Sequence, residues 1–152
     1  MNKLKMFIAL GGLLFMQSCV EKEGYYDPGQ QSVIDRFTHK DWERTYESST
    51  MDGMECTIHE TWRFEKDGKC VRKSTTVYEN GKTKDDVIYD RWAFITSNFR
   101  FLHFGSTTFW EIEKLTATEL HVCQTYEDPL AFPGQDKFHF KFTCEENKAP
   151  AG

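Results

Sequence analysis

The chain has 152 residues, with 24 acidic and 19 basic side chains and a net charge of −5 at neutral pH. This acidic balance excludes a nucleic-acid-binding class, because such proteins need clustered cations to displace counterions from phosphates. It also argues against electrostatic docking of the folded domain on anionic lipid. The length suits one domain once an N-terminal targeting segment is set aside.

Residues 1–18 have the pattern of a secretory signal peptide. Two early lysines are followed by an unbroken apolar run over residues 6–16. That run is too short to cross a hydrocarbon layer of about 30 Å as a helix. A basic start, a short apolar segment and a small residue before the cleavage point, here Ser18, predict a signal peptide.

Cys19 follows directly, and residues 16–19, Met-Gln-Ser-Cys, resemble a lipobox, whose cysteine is acylated and becomes the new N-terminus. Each buried methylene contributes about 0.8 kcal/mol, so two or more palmitate-type chains anchor a protein stably. We predict lipid attachment at Cys19, with the membrane as partner through the acyl anchor. The alternative is an ordinary signal peptide with a coincidental cysteine. The charged residues 20–23 resemble a surface-export signal of Bacteroidetes lipoproteins, which favours the outer membrane and suggests the cell surface.

Residues 19–36 are predicted to be the lipidated cysteine and its tether. The stretch from Ser32 to Phe37 is amphipathic and predicts one or two helical turns, with Ser32 as N-cap. We expect the folded domain to cover residues 37–146 and a C-terminal tail to cover residues 147–152.

The pattern changes after this stretch, because β-branched and aromatic residues alternate with polar ones between turn signals. Asp67-Gly68 and Asn80-Gly81 favour tight hairpins, since both central residues can take positive φ. The pattern predicts eight strands, at residues 40–48, 54–66, 69–79, 83–96, 99–104, 107–115, 119–126 and 137–145. Consecutive antiparallel strands that close on themselves remove exposed edges. We predict an all-β, eight-stranded, antiparallel up-and-down barrel, with a β-sandwich as the alternative.

Four segments share a recognisable pattern: Trp42 at the first strand, Trp62–Gly68 over a tight hairpin, Trp92–Phe94, and Phe109–Leu120 with its aromatic-x-Ile and Leu-Thr spacing. Together they resemble the lipocalin-like domains of bacterial lipoproteins. The resemblance spans about residues 40–145. It implies a barrel with long loops around an open mouth and a short N-terminal helix across the closed end.

On that scheme the loops at residues 49–53 and 127–136 surround the mouth. Its rim is predicted to carry Met51, Met54, Leu130 and Phe132. Flexible methionines and an exposed phenylalanine suit an adaptable apolar contact with a ligand. The alternative is that these side chains cap the core.

Alternation along the strands predicts which side chains point inward. The inward set is Tyr46, Ile58, Trp62, Phe64, Trp92, Phe94, Leu102, Phe104, Trp110, Ile112, Leu120, Val122, Phe138, Phe140 and Phe142. An eight-stranded barrel either fills with side chains or holds one small ligand. The many aromatic rings favour filling, and a cavity is the alternative. Residues predicted to contact a ligand in the lumen are Arg44, Tyr46, Ile58, Glu60, Trp62, Trp92, Trp110 and Phe140.

Arg44 and Glu60 are predicted to face each other if the first hairpin is centred on Asp52. An unpaired buried charge is prohibitive, whereas a bidentate pair is tolerated. The pair is either an anchor for a ligand head group or a self-satisfied pair at the barrel mouth.

Four further cysteines, Cys56, Cys70, Cys123 and Cys144, are candidate disulfide residues of an exported protein. The second hairpin is predicted to set Cys70 opposite Glu65, which leaves Cys56 about 30 Å away and excludes that pair. Cys123 and Cys144 could pair across the last hairpin. Cross-barrel pairs and four buried thiols are the remaining alternatives.

No catalytic motif is present in the sequence, and the five histidines are scattered singly. His121 and Cys123 share a strand face, but a tetrahedral zinc site needs three or four converging ligands. We therefore expect no metal, no cofactor and no enzymatic activity. The leading interpretation is a lipid-anchored envelope module that holds a small apolar or amphipathic ligand at the barrel mouth. The alternative is a packed, pocketless barrel that serves as an accessory subunit of an envelope protein assembly.

Overall fold

The computed structural model describes residues 28–105 and 107–145. The predicted signal peptide, Cys19, the charged residues after it and the tail at residues 147–152 lie outside the described residues. Among the described residues, no helix combines the length and the apolarity that a membrane crossing requires.

Eight strands form a closed barrel in which each strand pairs antiparallel with the next along the chain. They are β1 (Asp41–Ser49), β2 (Glu55–Phe64), β3 (Lys69–Tyr78), β4 (Thr83–Phe94), β5 (Phe101–Phe104), β6 (Thr108–Leu115), β7 (Glu119–Thr125) and β8 (Phe138–Thr143). The bounds of every strand lie within two residues of the prediction. The closed ring shows that the alternative of two packed sheets is wrong.

In the part of the chain that the structure describes, one helix, α1 (Pro28–Phe37), precedes the strands. It begins inside the segment predicted as tether, so Ser32 lies within the helix and the prediction that it caps the N-terminus is wrong. Proline is tolerated in a first helical turn, where its missing N–H has no helical partner. Ile34 and Phe37, one turn apart, are fully buried and face the barrel.

The helix closes one end of the barrel through aromatic contacts. The Phe37 ring stacks on Phe64 with centroids 4.2 Å apart and meets Trp92 edge-on at 5.1 Å. Trp42, also fully buried, donates from Nε1 to the Phe37 carbonyl oxygen (2.9 Å), so its polar atom is satisfied where the helix ends. These contacts make the closed end the dense half of the core.

The opposite end is less completely closed, because the first four strands are longer than the last four. Strand β4 pairs with β5 only over Trp92–Phe94, and its residues 83–89 are exposed on both faces. Strands β1 and β8 pair only at Glu43 and Thr143. The barrel therefore has a packed half under α1 and a looser half with a gap along the β1–β8 seam.

Candidate ligand-binding site

A cavity of about 510 Å³ occupies the looser half of the barrel. Inward side chains of β1, β2, β3, β7 and β8 form its wall, together with outward side chains beside the β1–β8 seam. The lining residues are Arg44, Thr45, Tyr46, Glu60, Trp62, Arg72, Gln124, Tyr126, His139, Phe140 and Lys141. The cavity is thus part lumen and part seam, and its wall combines aromatic rings with charged groups.

Arg44 and Glu60 lie opposite each other in the β1–β2 register, as predicted. Arg44 Nε donates to Glu60 Oε2 over 2.5 Å, and the Glu60 residue is only 4% exposed. The Arg44 guanidinium also lies 4.4 Å from the Tyr46 ring centroid and 3.9 Å from that of Phe140. Stacking on aromatic faces and a charge-assisted hydrogen bond compensate for the desolvation of this pair.

Arg72 on β3 adds a second cation beside the same carboxylate. Its Nη1 lies 3.8 Å from Glu60 Oε1, and its guanidinium lies 5.4 Å from the Trp62 ring centroid. About a third of the Arg72 side chain is exposed, whereas Glu60 is buried. Two arginines share one carboxylate, so the wall carries more positive than negative charge at this point.

Trp62 carries a buried donor that the protein leaves unpaired. Among the buried side-chain nitrogen and oxygen atoms of the described residues, its Nε1 is the one without a hydrogen-bond partner. A buried unsatisfied donor costs about 1–3 kcal/mol, and native proteins contain few of them. Because Trp62 lines the cavity, an acceptor from a bound molecule would remove this cost.

A second cavity of about 270 Å³ adjoins the first and shares Trp62, Arg72, Gln124 and Tyr126 with it. Its wall also includes Cys70 and Asp90. Burial, reinforced by the nearby Asp90 carboxylate, raises the pKa of the Cys70 thiol to about 12. Cys70 is therefore a neutral, unreactive thiol at physiological pH.

Hydrogen bonds hold the polar side chains between the two cavities. Trp110 Nε1 donates to Gln124 Oε1 (2.9 Å), which leaves the amide nitrogen of Gln124 to donate to the Tyr126 hydroxyl (2.9 Å). Burial and the Glu60 carboxylate raise the pKa of Tyr46, so its hydroxyl keeps its proton. The wall thus presents hydroxyl and guanidinium donors in fixed positions.

Five of the eight side chains predicted to contact a ligand line the larger cavity: Arg44, Tyr46, Glu60, Trp62 and Phe140. The three others line neither cavity. Trp92 and Trp110 are packed in the aromatic core, where Phe37 and Phe142 contact them, and half-buried Ile58 lines neither cavity.

None of the predicted rim residues Met51, Met54, Leu130 and Phe132 lines either cavity, although their loops lie at the open end. Met51, Leu130 and Phe132 point into solvent because the turns carry them beyond the strand ends. Phe138, predicted inward, is 44% exposed because it begins β8, far from the β1–β8 pair at Thr143. Its ring lies against Tyr126, with centroids 5.8 Å apart.

Sequence reasoning did not identify Arg72, Gln124 and Tyr126 as site residues. Arg72 shares the even-numbered inward face of β3 with Cys70 and lies opposite Trp62. The β2–β3 register is enough to predict that Arg72 points inward, because it pairs Arg72 with the inward Trp62. Gln124 and Tyr126 continue the inward face of Leu120 and Val122 on β7.

Among the described residues, Cys56, Cys70, Cys123 and Cys144 form no disulfide with one another. The β2–β3 register sets Cys70 opposite Phe64, so the predicted partner Glu65 is wrong by one residue. The suggested pairing of Cys123 and Cys144 is also wrong. Cys123 lies opposite His139, whereas the Cys144 amide donates to Thr118, five residues and about 16 Å along β7.

Comparison of the chain with protein-family models, with curated proteins and with solved structures finds no match in any of the three. The side chains of the cavity wall indicate what the site can bind. Two arginines, tyrosine hydroxyls and an unpaired indole N–H are donors, and the rings of Tyr46, Trp62, Tyr126 and Phe140 are apolar surface. This wall can bind a molecule that has an apolar body and an anionic or strongly accepting group.

Proposed function

We propose that the protein is a lipid-anchored module of the cell envelope that holds a small amphipathic anion at the open end of its barrel. The observation that carries this proposal is the wall of the larger cavity. Its charged lining residues include Arg44, Arg72 and Lys141 but only one carboxylate, Glu60, although the whole chain is acidic. A positive cavity in an acidic protein favours an anionic ligand.

The size of the cavity supports a small molecule. A volume of about 510 Å³ lies within the usual range of ligand sites, roughly 300–1,000 Å³. Arg72 suits the anionic group, because its partly exposed guanidinium can form a bidentate contact with a carboxylate or phosphate. The aromatic rings around Trp62 would cover the apolar body.

We also propose that the barrel is lipocalin-like and that Cys19 is acylated. The order of strands and the helix under the closed end support a lipocalin-like, up-and-down barrel. The Ser18-Cys19 sequence after an apolar run supports acylation at Cys19, which would keep the barrel near an envelope membrane. A carrier or sensor of amphipathic molecules fits that location.

Ligand affinity for a carboxylate and for its uncharged analogue tests the proposal. The full chain in lipid nanodiscs is titrated with laurate and with lauryl alcohol, and tryptophan fluorescence reports binding near Trp62. We expect laurate to bind more tightly. Arg72→Gln should weaken laurate binding about 10- to 100-fold, the loss typical of a charge-assisted hydrogen bond, and leave the alcohol unchanged.

Lys73→Gln is the matched control, since Lys73 is the exposed, outward neighbour of Arg72 on the same strand. It removes the same charge from the protein without touching the cavity. An equal loss of laurate affinity in Arg72→Gln and Lys73→Gln would contradict the proposal. So would equal affinity of the wild type for laurate and for lauryl alcohol.

A second candidate function is an interaction subunit of an envelope assembly, and the free edge of β4 favours it. From Thr83 to Asp90 this strand has no neighbouring strand on its β5 side among the described residues, and it exposes Val87 and Tyr89. Such an edge can receive an extended segment of a partner. The described part of the barrel has cavities, so this candidate retains the partner but not the pocketless interior.

A further inference from the structure

Three strands bring Glu113, Cys123 and His139 together on the outer face of the barrel. Cys123 on β7 lies directly opposite His139 on β8. Glu113 is the extra residue of a β-bulge in β6, where the register with β7 shifts between Ile112 and Lys114. One ligand atom from each of the three side chains lies within 4.8 Å of the others.

The three side chains differ in burial in a way that suits an open metal site. Cys123 is 2% exposed, whereas Glu113 and His139 reach solvent. His139 Nδ1 lies 3.1 Å and 3.2 Å from the two carboxylate oxygens of Glu113. The imidazole and the carboxylate are therefore already turned toward each other above a buried sulfur.

The ligand set identifies the class of ion. A thiolate, an imidazole and a carboxylate are ligands that zinc accepts together, and three protein ligands leave a fourth position for water. Tetrahedral zinc with bonds of about 2.0–2.3 Å has its ligand atoms about 3.3–3.8 Å apart. The separations here are at most 4.8 Å, so they exceed that range by no more than about 1.5 Å, which rotation of the exposed Glu113 and His139 side chains can close.

We propose that Glu113, Cys123 and His139 bind one zinc-like divalent cation. The Cys123 thiol loses its proton to solvent as the sulfur–metal bond forms, and the contact between His139 and Glu113 is exchanged for two bonds to the metal. Binding joins β6, β7 and β8 across their outer face. The site adjoins the anion site, because His139 also lines the larger cavity, whereas Cys123 and Glu113 line neither cavity.

Cobalt titration tests the site, since a cobalt–thiolate bond gives a charge-transfer absorption band that other ligands do not. The full chain is reduced, stripped with a chelator and titrated with Co²⁺, and Zn²⁺ is then added in competition. We expect one Co²⁺ per chain, a thiolate band, and displacement by Zn²⁺. Cys123→Ser should abolish the band, and His139→Ala should weaken binding at least about tenfold.

Two matched controls separate this site from the other thiols and histidines. His121→Ala removes a histidine two residues from Cys123 whose Nε2 lies near Glu119 (3.6 Å), and Cys56→Ser removes a different buried thiol. Both should bind Co²⁺ as the wild type does. A band that survives Cys123→Ser, or affinity unchanged in the exposed His139→Ala variant, would overturn the proposal. Since His139 is on the surface, that second variant remains informative even if Cys123→Ser fails to fold.

Discussion

Arg44 and Glu60 form a nearly buried ion pair across the first two strands, with Arg44 Nε 2.5 Å from Glu60 Oε2. The side chains are 15% and 5% exposed. Removing one partner of such a pair leaves an uncompensated charge, whereas removing both can be nearly neutral. The pair is therefore expected to show strong coupling in stability.

A double-mutant cycle measures this coupling. We expect Arg44→Leu and Glu60→Leu each to lower the free energy of unfolding by about 3 kcal/mol, and the double variant to lose much less than the sum. Glu60→Leu should be the more damaging change, because it leaves Arg44 and Arg72 without the carboxylate between them. Urea unfolding gives the four values. Additive losses would show that the two charges act independently.

The closed end should depend on Phe37. Its ring is fully buried against Phe64 and Trp92, so Phe37→Ala should lower the free energy of unfolding by about 3–5 kcal/mol. Tyr89→Ala is the control, since Tyr89 is 78% exposed and its loss should change stability by no more than about 0.5 kcal/mol. Similar midpoints for the two variants in urea would show that α1 does not close the barrel.

The free edge of β4 should depend on its charges for solubility. Asp85 lies on the outer face with Val87 and Tyr89, and its carboxylate accepts a hydrogen bond from Thr75 Oγ1 (2.6 Å). Asp85→Val would create an apolar row on an unpaired edge, which promotes edge-to-edge association. Light scattering should show concentration-dependent aggregation of this variant. Asp136→Val, the same change in an exposed loop, should stay dispersed; equal behaviour of the two would contradict the role of the edge.

Alkaline pH should destabilise the fold partly through Cys70. Its pKa is raised from 9.0 to about 12, so the folded state favours the neutral thiol. The contribution is fully present below pH 9 and decreases as the pH rises from 9 toward 12, because the unfolded chain releases the proton first. Between pH 9 and 10 the loss is about 1 kcal/mol by that linkage.

The Cys70→Ala variant separates the contribution of the Cys70 thiol to this loss of stability from the titration of lysines and tyrosines. Urea unfolding of the wild type and of the variant at pH 8, 9 and 10 should show a smaller alkaline loss in the variant. Parallel decreases in the two proteins would show that the Cys70 thiol titrates normally.

Acylation is predicted at a single residue. In cells fed a clickable palmitate analogue, the wild-type chain should be labelled and should sediment with membranes. Cys19→Ala should lose the label, whereas Cys56→Ser should keep it. Label retained by the Cys19→Ala variant would contradict the lipobox assignment.

The strands could be predicted because each relies on local information. Period-two alternation and the turns at Asp67-Gly68 and Asn80-Gly81 determine where a strand begins and ends. The Arg44–Glu60 contact also followed from one hairpin and its centre. The predicted register of the second hairpin was wrong by one residue, because the turn is longer than the expected two-residue form and Gly68 takes positive φ in it.

The sites were harder to predict because they depend on three or more strands at once. Arg72 and Tyr126 join the cavity only when the ring closes, and no single segment shows that they meet. Alternation along one strand predicted only that His121 and Cys123 share a face. The register of β8 and the bulge in β6 instead bring His139 and Glu113 to that sulfur.

Native mass spectrometry of the full protein, purified from its own cells in mild detergent, tests the binding function most directly. We predict a one-to-one acidic small-molecule adduct, beyond the mass of any acyl chains, that is retained in Lys73→Gln and lost in Arg72→Gln. A wild-type protein that carries no such adduct and instead co-purifies with another envelope protein would contradict the account.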